Sequence, residues 1–165
     1  MNINDEITFE YVTRIRYHED ILGVVLKGHL LIEYVLDLII RKRCREPKAI
    51  LDDHRTYSFS VKARLVYEIG LIPRHVYRNI NRVNLFRNEL AHNLSIDEKK
   101  VDYKFDRDDE EFSGLVELKK NMKRHNNSLK RYLFLLCFGT LSQLQNRYLK
   151  EFGEFPLFEE RSQGF

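Results

Sequence analysis

The chain has no tryptophan, two cysteines, three prolines and seven glycines in 165 residues, and each scarcity excludes something. Cys44 and Cys137 are too few and too far apart for a disulfide framework or a metal knuckle, and Cys137 lies in an apolar run, so both read as reduced thiols. So little Gly and Pro leaves scant material for the many tight turns of a β sandwich or barrel. No apolar run is long enough to span a bilayer, since the most apolar stretch, HLLIEYVLDLII, carries Glu33 and Asp37 within it. The opening MNINDEITFE is acidic and lacks a signal-peptide core, so the expectation is a soluble, cytoplasmic protein without a membrane partner. No sign of charge dominates either: 28 Lys and Arg against 25 Asp and Glu leave +3, too little to mark a nucleic-acid binder by itself.

What is present is core material. A composition 43% hydrophobic and 12% aromatic excludes a disordered chain, and 165 residues suit one domain. The expected fold is all-α, with a single helical domain over 1–152 and a tail over 153–165. From about Glu6 to Arg45, Leu22, Leu26, Leu30, Ile32, Val35, Leu36 and Ile39 recur at helical spacing, with Glu33 and Asp37 on another stripe and Gly23 and Gly28 as points of bending. Pro47 opens a short helical turn, Ser58 or Ser60 caps a helix through VKARLVYEIGLI, and Pro73 begins one that continues to about Asn93. Segment 94–111 is a charged loop in which VDYKF alternates like a strand, with room for a small hairpin. A final pair of helices, or one bent helix, covers 112–152 with Leu129, Leu133, Leu136, Phe138 and Leu141 as its core stripe.

Within the fourth helical segment lies FRNELAHN, residues 86–93. At roughly 100° per residue, with Arg87 at zero, Asn84 falls at about 60°, Ala91 at about 40°, Asn88 at about 100° and His92 at about 140°. These form one polar arc, while Val83, Phe86, Leu90 and Leu94 fall on the other side as the core face. Spacing of Arg and His alone is weak, and a surface His beside a salt-bridged Arg is the plain alternative. The chemistry is specific nonetheless. Metal-free RNA cleavage needs a base for the 2′-hydroxyl proton, an acid for the leaving 5′-oxygen and a fixed cation for the charged phosphorane. A histidine fills either proton role, and an arginine presents a planar fork to phosphate. One copy does not easily supply both proton transfers, but a homodimer placing two such helices face to face does.

Arg87, Asn88 and His92 match the R-N-x-x-x-H motif of the HEPN superfamily, all-helical proteins that include metal-independent ribonucleases of toxin–antitoxin, phage-defence and RNA-processing systems. SVKARLVYEIGLIPRHVYRNINRVNLFRNELAHN, residues 60–93, resembles the central block of the mannitol-repressor family (MtlR, also MltR), a HEPN-like branch, and HLLIEYVLDLII is similar to the helix preceding that block. The resemblance implies a HEPN-like bundle in which Arg87 and His92 are catalytic and Asn88 orients them. Mannitol-repressor-like proteins are regarded as regulators and often have the motif altered, whereas here it is intact. Two functions therefore stand: a metal-independent endoribonuclease, toxin- or phage-defence-like, acting as a homodimer on RNA with an antitoxin as its protein partner, or a catalytically silent transcriptional regulator acting by protein–protein contact. A DNA-binding repressor fits less well, because no recognition helix stands out.

Further candidates surround the motif. Asn84, one turn before Asn88, holds a phosphate or caps neighbouring backbone. Glu33 and Asp37 are expected to pair with Arg87 or Arg64, and Glu33 is the carboxylate expected to orient the Arg–His group. Lys119, Lys120, Lys123, Arg124, Lys130 and Arg131, in KKNMKRHNNSLKR, are the candidate RNA-backbone contacts, with a solvated face as the plain alternative. Tyr57, Tyr77 and Tyr103 are candidate stacking residues, though aromatics at such spacing more often belong to the core. His18, His29, His54, His75 and His125 show no ligand spacing, and no phosphate loop or nucleotide fingerprint occurs, so neither a metal nor a cofactor is expected.

Overall fold

A computed structural model describes residues 20–93, 95–106 and 128–153. Among the described residues there are five helices, α1 (Ile21–Arg43), α2 (Pro47–Leu51), α3 (Phe59–Glu68), α4 (Arg74–Asn93) and α5 (Ser128–Phe152), with a 3-10 turn at Glu98–Lys100. The all-α expectation holds among the described residues. α1, α4 and α5 pack against one another, and α3 lies across α1 and α4.

The local sequence explains the boundaries. Asp20 caps α1 by accepting the Gly23 amide at 2.7 Å, which sets the start of this helix at Ile21; the expected helical residues 6–19 lie outside the described residues. Arg41, Lys42 and Arg43 occupy its last turn, where the helix dipole favours cations. Pro47 sits at the start of α2, its fixed φ matched to a first turn and its missing amide costing nothing there. Ser58 does hold the cap position of α3, but its hydroxyl makes no capping bond and lies 3.1 Å from that of Ser60. Gly70, at φ +77°, closes the end of α3 in the left-handed conformation that a side chain disfavours.

α5 is the central helix. Between Tyr132 and Leu141 only Phe134 is not buried, so this stretch is enclosed on all sides. Leu129, Leu133, Leu136, Phe138 and Leu141 are all core residues, as their spacing predicts. Gly28 does not divide α1, which runs unbroken through it. It packs directly on α5, where a Cβ would sit 2.7 Å from Sγ of Cys137 and closer still to its Cβ.

The leucine stripe of α1 corrects the sequence reading. Ile32, Val35, Leu36 and Ile39 are buried, but Leu22, Leu26 and Leu30 are 38%, 38% and 63% exposed. Eleven residues separate Leu22 from Glu33, which at 100° each is about three turns plus 20°. The three leucines therefore share the acidic stripe rather than the core stripe.

Among the described residues of the charged loop, 95–106, no strand pairing and hence no hairpin forms; residues 107–111 lie outside the description. The alternation in VDYKF is kept only at its ends: Val101 is half-buried and Phe105 is buried against Gly139 of α5, but Tyr103 is exposed like Asp102 and Lys104. Side chains serve this extended segment in place of a neighbouring strand. Asn79 takes the Asp106 amide on Oδ1 at 2.9 Å and donates Nδ2 to its carbonyl at 2.6 Å. Arg82 reaches the Asp106 carboxylate at 3.0 Å, and the Tyr132 hydroxyl donates to the Lys104 carbonyl at 2.7 Å.

Candidate active site

The α4 polar arc emerges as the spacing requires. Val83, Phe86 and Leu90 are buried, leaving Arg87, Ala91 and His92 exposed and Asn84 and Asn88 half-buried along the rim; Leu94 lies outside the described residues. Arg87 donates Nη1 to Asn88 Oδ1 at 3.0 Å, so the asparagine holds the guanidinium along the exposed side of the helix. His92 stands four residues beyond Asn88 on that side. Leu85 is 62% exposed and lies, by helical arithmetic, within about 20° of His92.

Behind Arg87 the rim of α4 meets α1 and α3 in a polar seam. His29 of α1 is 8% exposed, and its ring stacks on Phe59 of α3 with centroids 3.8 Å apart. Burial lowers its pKa and the Arg87 charge works the same way, against the opposing pull of Glu33 and Asn84. The Asn84 carboxamide lies against the ring, yet Nε2 of His29 is buried without a hydrogen-bond partner among the described residues.

One turn further along α1, Glu33 and Asp37 face Lys62 of α3. The Lys62 side chain is 1% exposed, donates to Glu33 Oε1 at 3.0 Å and stands 2.9 Å from Asp37 Oδ1. Burial pushes the ammonium down, but hydrogen bonds and charge from Asp37 and Glu33 outweigh it and raise the pKa above its ordinary value. The expected pairing of Glu33 and Asp37 with Arg87 or Arg64 is thus corrected: Lys62 takes both, and Arg64 pairs with Glu68 on its own helix. Glu33 acts by its charge on His29, and its ion-pair partner is Lys62.

Sequence reasoning missed Lys62 and His29. The signal for Lys62 was its register: Phe59, Lys62 and Val66 follow helical spacing, which puts a cation on the apolar face of α3, and a cation there requires acidic partners. Nothing local marks His29, whose burial depends on α3 docking over it.

The candidate RNA contacts divide. Lys119, Lys120, Lys123 and Arg124 lie outside the described residues, and Lys130 and Arg131, in the first turn of α5, are half-buried. Of the tyrosines, Tyr77 stacks on Tyr67 with centroids 4.7 Å apart and Tyr103 packs edge-on against Tyr132 at 5.1 Å, so both rings are engaged within the fold. Among the described residues no three of His, Cys, Asp and Glu gather as ligands for a metal, and no helix is long and apolar enough to cross a membrane. Comparisons with protein-family models, curated proteins and solved structures return no match for this chain.

Proposed function

We propose that this chain is a HEPN-type endoribonuclease that cleaves RNA without a metal, at a site completed by a second copy of itself. The observation that carries this reading is the side-by-side presentation on exposed α4 of an arginine held by its neighbour, Arg87 on Asn88 at 3.0 Å, with an exposed histidine four residues on. The guanidinium is oriented and the imidazole is open to a substrate.

In this mechanism a 2′-oxygen attacks the adjacent phosphorus as one His92 removes its proton. The new O2′–P bond forms while the P–O5′ bond breaks, and the His92 of the second copy protonates the departing O5′. Arg87 from each chain balances the charge that accumulates on the non-bridging oxygens. The products are a 2′,3′-cyclic phosphate and a 5′-hydroxyl. Leu85, exposed beside His92, supplies apolar surface on the face that the second copy would cover.

The same leucine favours a second reading, a regulator that uses this face to hold a protein partner. Incubating the protein with a mixed RNA pool in EDTA separates the two. Cyclic-phosphate ends made by the wild type and lost in both Arg87→Ala and His92→Ala are the expected result. Intact RNA with the wild type would overturn the ribonuclease and leave the regulator.

A further inference from the structure

The helices bring one sign of charge to one end of the bundle. Gly28 of α1 packs on Cys137 of α5 and, about four turns further along both, Arg43 pairs with Glu151, so these helices run parallel and finish together. α4 runs the other way, since Phe86 meets Tyr132 early in α5 and Asn79 meets Gln143 later in it, which puts the first residues of α4, with Arg74 and Arg78 exposed, at the same end. Arg41, Lys42, Arg45, Lys48 and Lys150 are exposed there, and among the described residues none of them has an acidic partner. Elsewhere Arg64, Lys100 and Lys104 each stand against a carboxylate. Cations at helix C-termini are ordinary, because each such end carries about half a negative charge. The ends of α1 and α5 together offset about one cation and Glu46 a second, so most of the positive charge is left facing solvent.

We propose that this end of the bundle binds the phosphate backbone of single-stranded RNA; the choice of RNA as the strand rests on the ribonuclease reading. Unpaired cations contributed by α1, α2, α5 and the turn after α1 neutralise phosphates along a path rather than at one point. Arg43 adds a fixed plane among them. Glu151 holds its guanidinium, which lies over Phe152 at 5.6 Å from the ring centroid and leaves the side chain 46% exposed. Such a plane stacks on an unpaired base, which a duplex does not present. A lipid surface fits less well, since α1 and α2 expose no large apolar side chain at this end for insertion. From Arg74 to His92 along α4 is about 27 Å at roughly 1.5 Å per residue, so a strand held here and cut at His92 spans several nucleotides. The substrate is then an extended strand rather than a dinucleotide.

Binding is measured on the full chain by fluorescence anisotropy, with a labelled single-stranded oligoribonucleotide methylated at every 2′-oxygen so that it has no nucleophile for cleavage. Each phosphate neutralised on a single strand adds about −0.7 to the slope of log affinity against log salt, so four contacts give about −3 and a loss of roughly fifty-fold between about 50 and 200 mM salt. The variant Arg41→Gln, Lys42→Gln, Arg45→Gln, Lys48→Gln should bind at least about tenfold more weakly at low salt, with a nearly flat slope. Arg43→Lys keeps the charge and loses the plane, so affinity should fall several-fold with the slope unchanged; full affinity would overturn the stacking role. Lys99→Gln with Lys100→Gln, beyond the far end of α4, should bind as wild type. An equal loss there would mean a general charge effect and overturn the proposal. So would a folded quadruple variant that binds like wild type, a duplex bound as tightly as the strand, or anionic vesicles that retain the protein when the strand does not. Strand binding that depends on the four cations, beside a wild type that leaves ordinary RNA intact, supports this surface and overturns the ribonuclease. Cleavage with binding indifferent to the four substitutions does the reverse.

Discussion

Replacing Lys62 by methionine removes one ammonium and leaves almost everything else in place. The side chain is 1% exposed, so Met fills nearly the same volume, but Glu33 and Asp37 lose the cation that stood 3.0 and 2.9 Å away. The two carboxylates, one turn apart on α1, then repel each other with no counter-charge in contact. Breaking a buried ion pair from one side costs about 3–5 kcal/mol. The carboxylates here are 28% and 25% exposed, so water recovers part of that and about 2–4 kcal/mol remains. For a chain of this length the melting temperature should fall by roughly 5–15 °C. Urea unfolding followed by circular dichroism gives the free energy directly. The triple variant Lys62→Met, Glu33→Gln, Asp37→Asn should return to within about 1 kcal/mol of wild type, because it removes the charges together. A single Lys62→Met protein as stable as wild type would refute the argument, since it would mean that the acidic pair does not depend on the lysine.

Gly28→Ala forces a methyl group into Cys137 and should cost about 1–3 kcal/mol in urea unfolding; adding Cys137→Gly should recover part of it, a coupling that independent sites would lack. Asn79→Ala frees the partly buried Asp106 amide and carbonyl, at about 1 kcal/mol for each bond lost, and should speed hydrogen exchange at Asp106. Stability should decline at alkaline pH. Lys62 is raised above 10.5 and burial raises Tyr132 from 10.0 to about 12, so the unfolded chain loses these protons first and binds fewer of them. The contributions are complete below about pH 10 and fade as pH climbs through the folded values, with Tyr132 spent near pH 12. A urea midpoint that stays level from pH 9 to pH 11.5 would contradict this.

Much of the architecture was legible because single helices carried clean signals. Pro73 punctuates the start of α4, and its apolar and polar arcs are separated well enough that Val83, Phe86 and Leu90 were assignable to the core without a structure. α1 was harder, since it carries leucines on two stripes, and periodicity does not reveal which stripe another helix covers. The loop misled for a related reason: of the alternating residues in VDYKF only Val101 and Phe105 turn inward, and nothing local says that Asn79, Arg82 and Tyr132 would serve its backbone instead of a strand. At the site, Arg87, Asn88 and His92 could be placed on one arc by arithmetic. The seam behind them could not, because His29, Lys62 and Asn84 come from three helices and become neighbours only once those helices pack.

The tight contact between Gly28 and Cys137 also sets the thiol chemistry of the chain. Cys137 is fully buried and burial pushes its pKa to about 12, whereas Cys44 is half-buried at the end of α1. Under native conditions an alkylating reagent should therefore mark Cys44 alone, and Cys137 should react only when α1 and α5 separate. The rate of that second modification is a clock for the opening of the bundle, readable by mass spectrometry with no probe added to the protein.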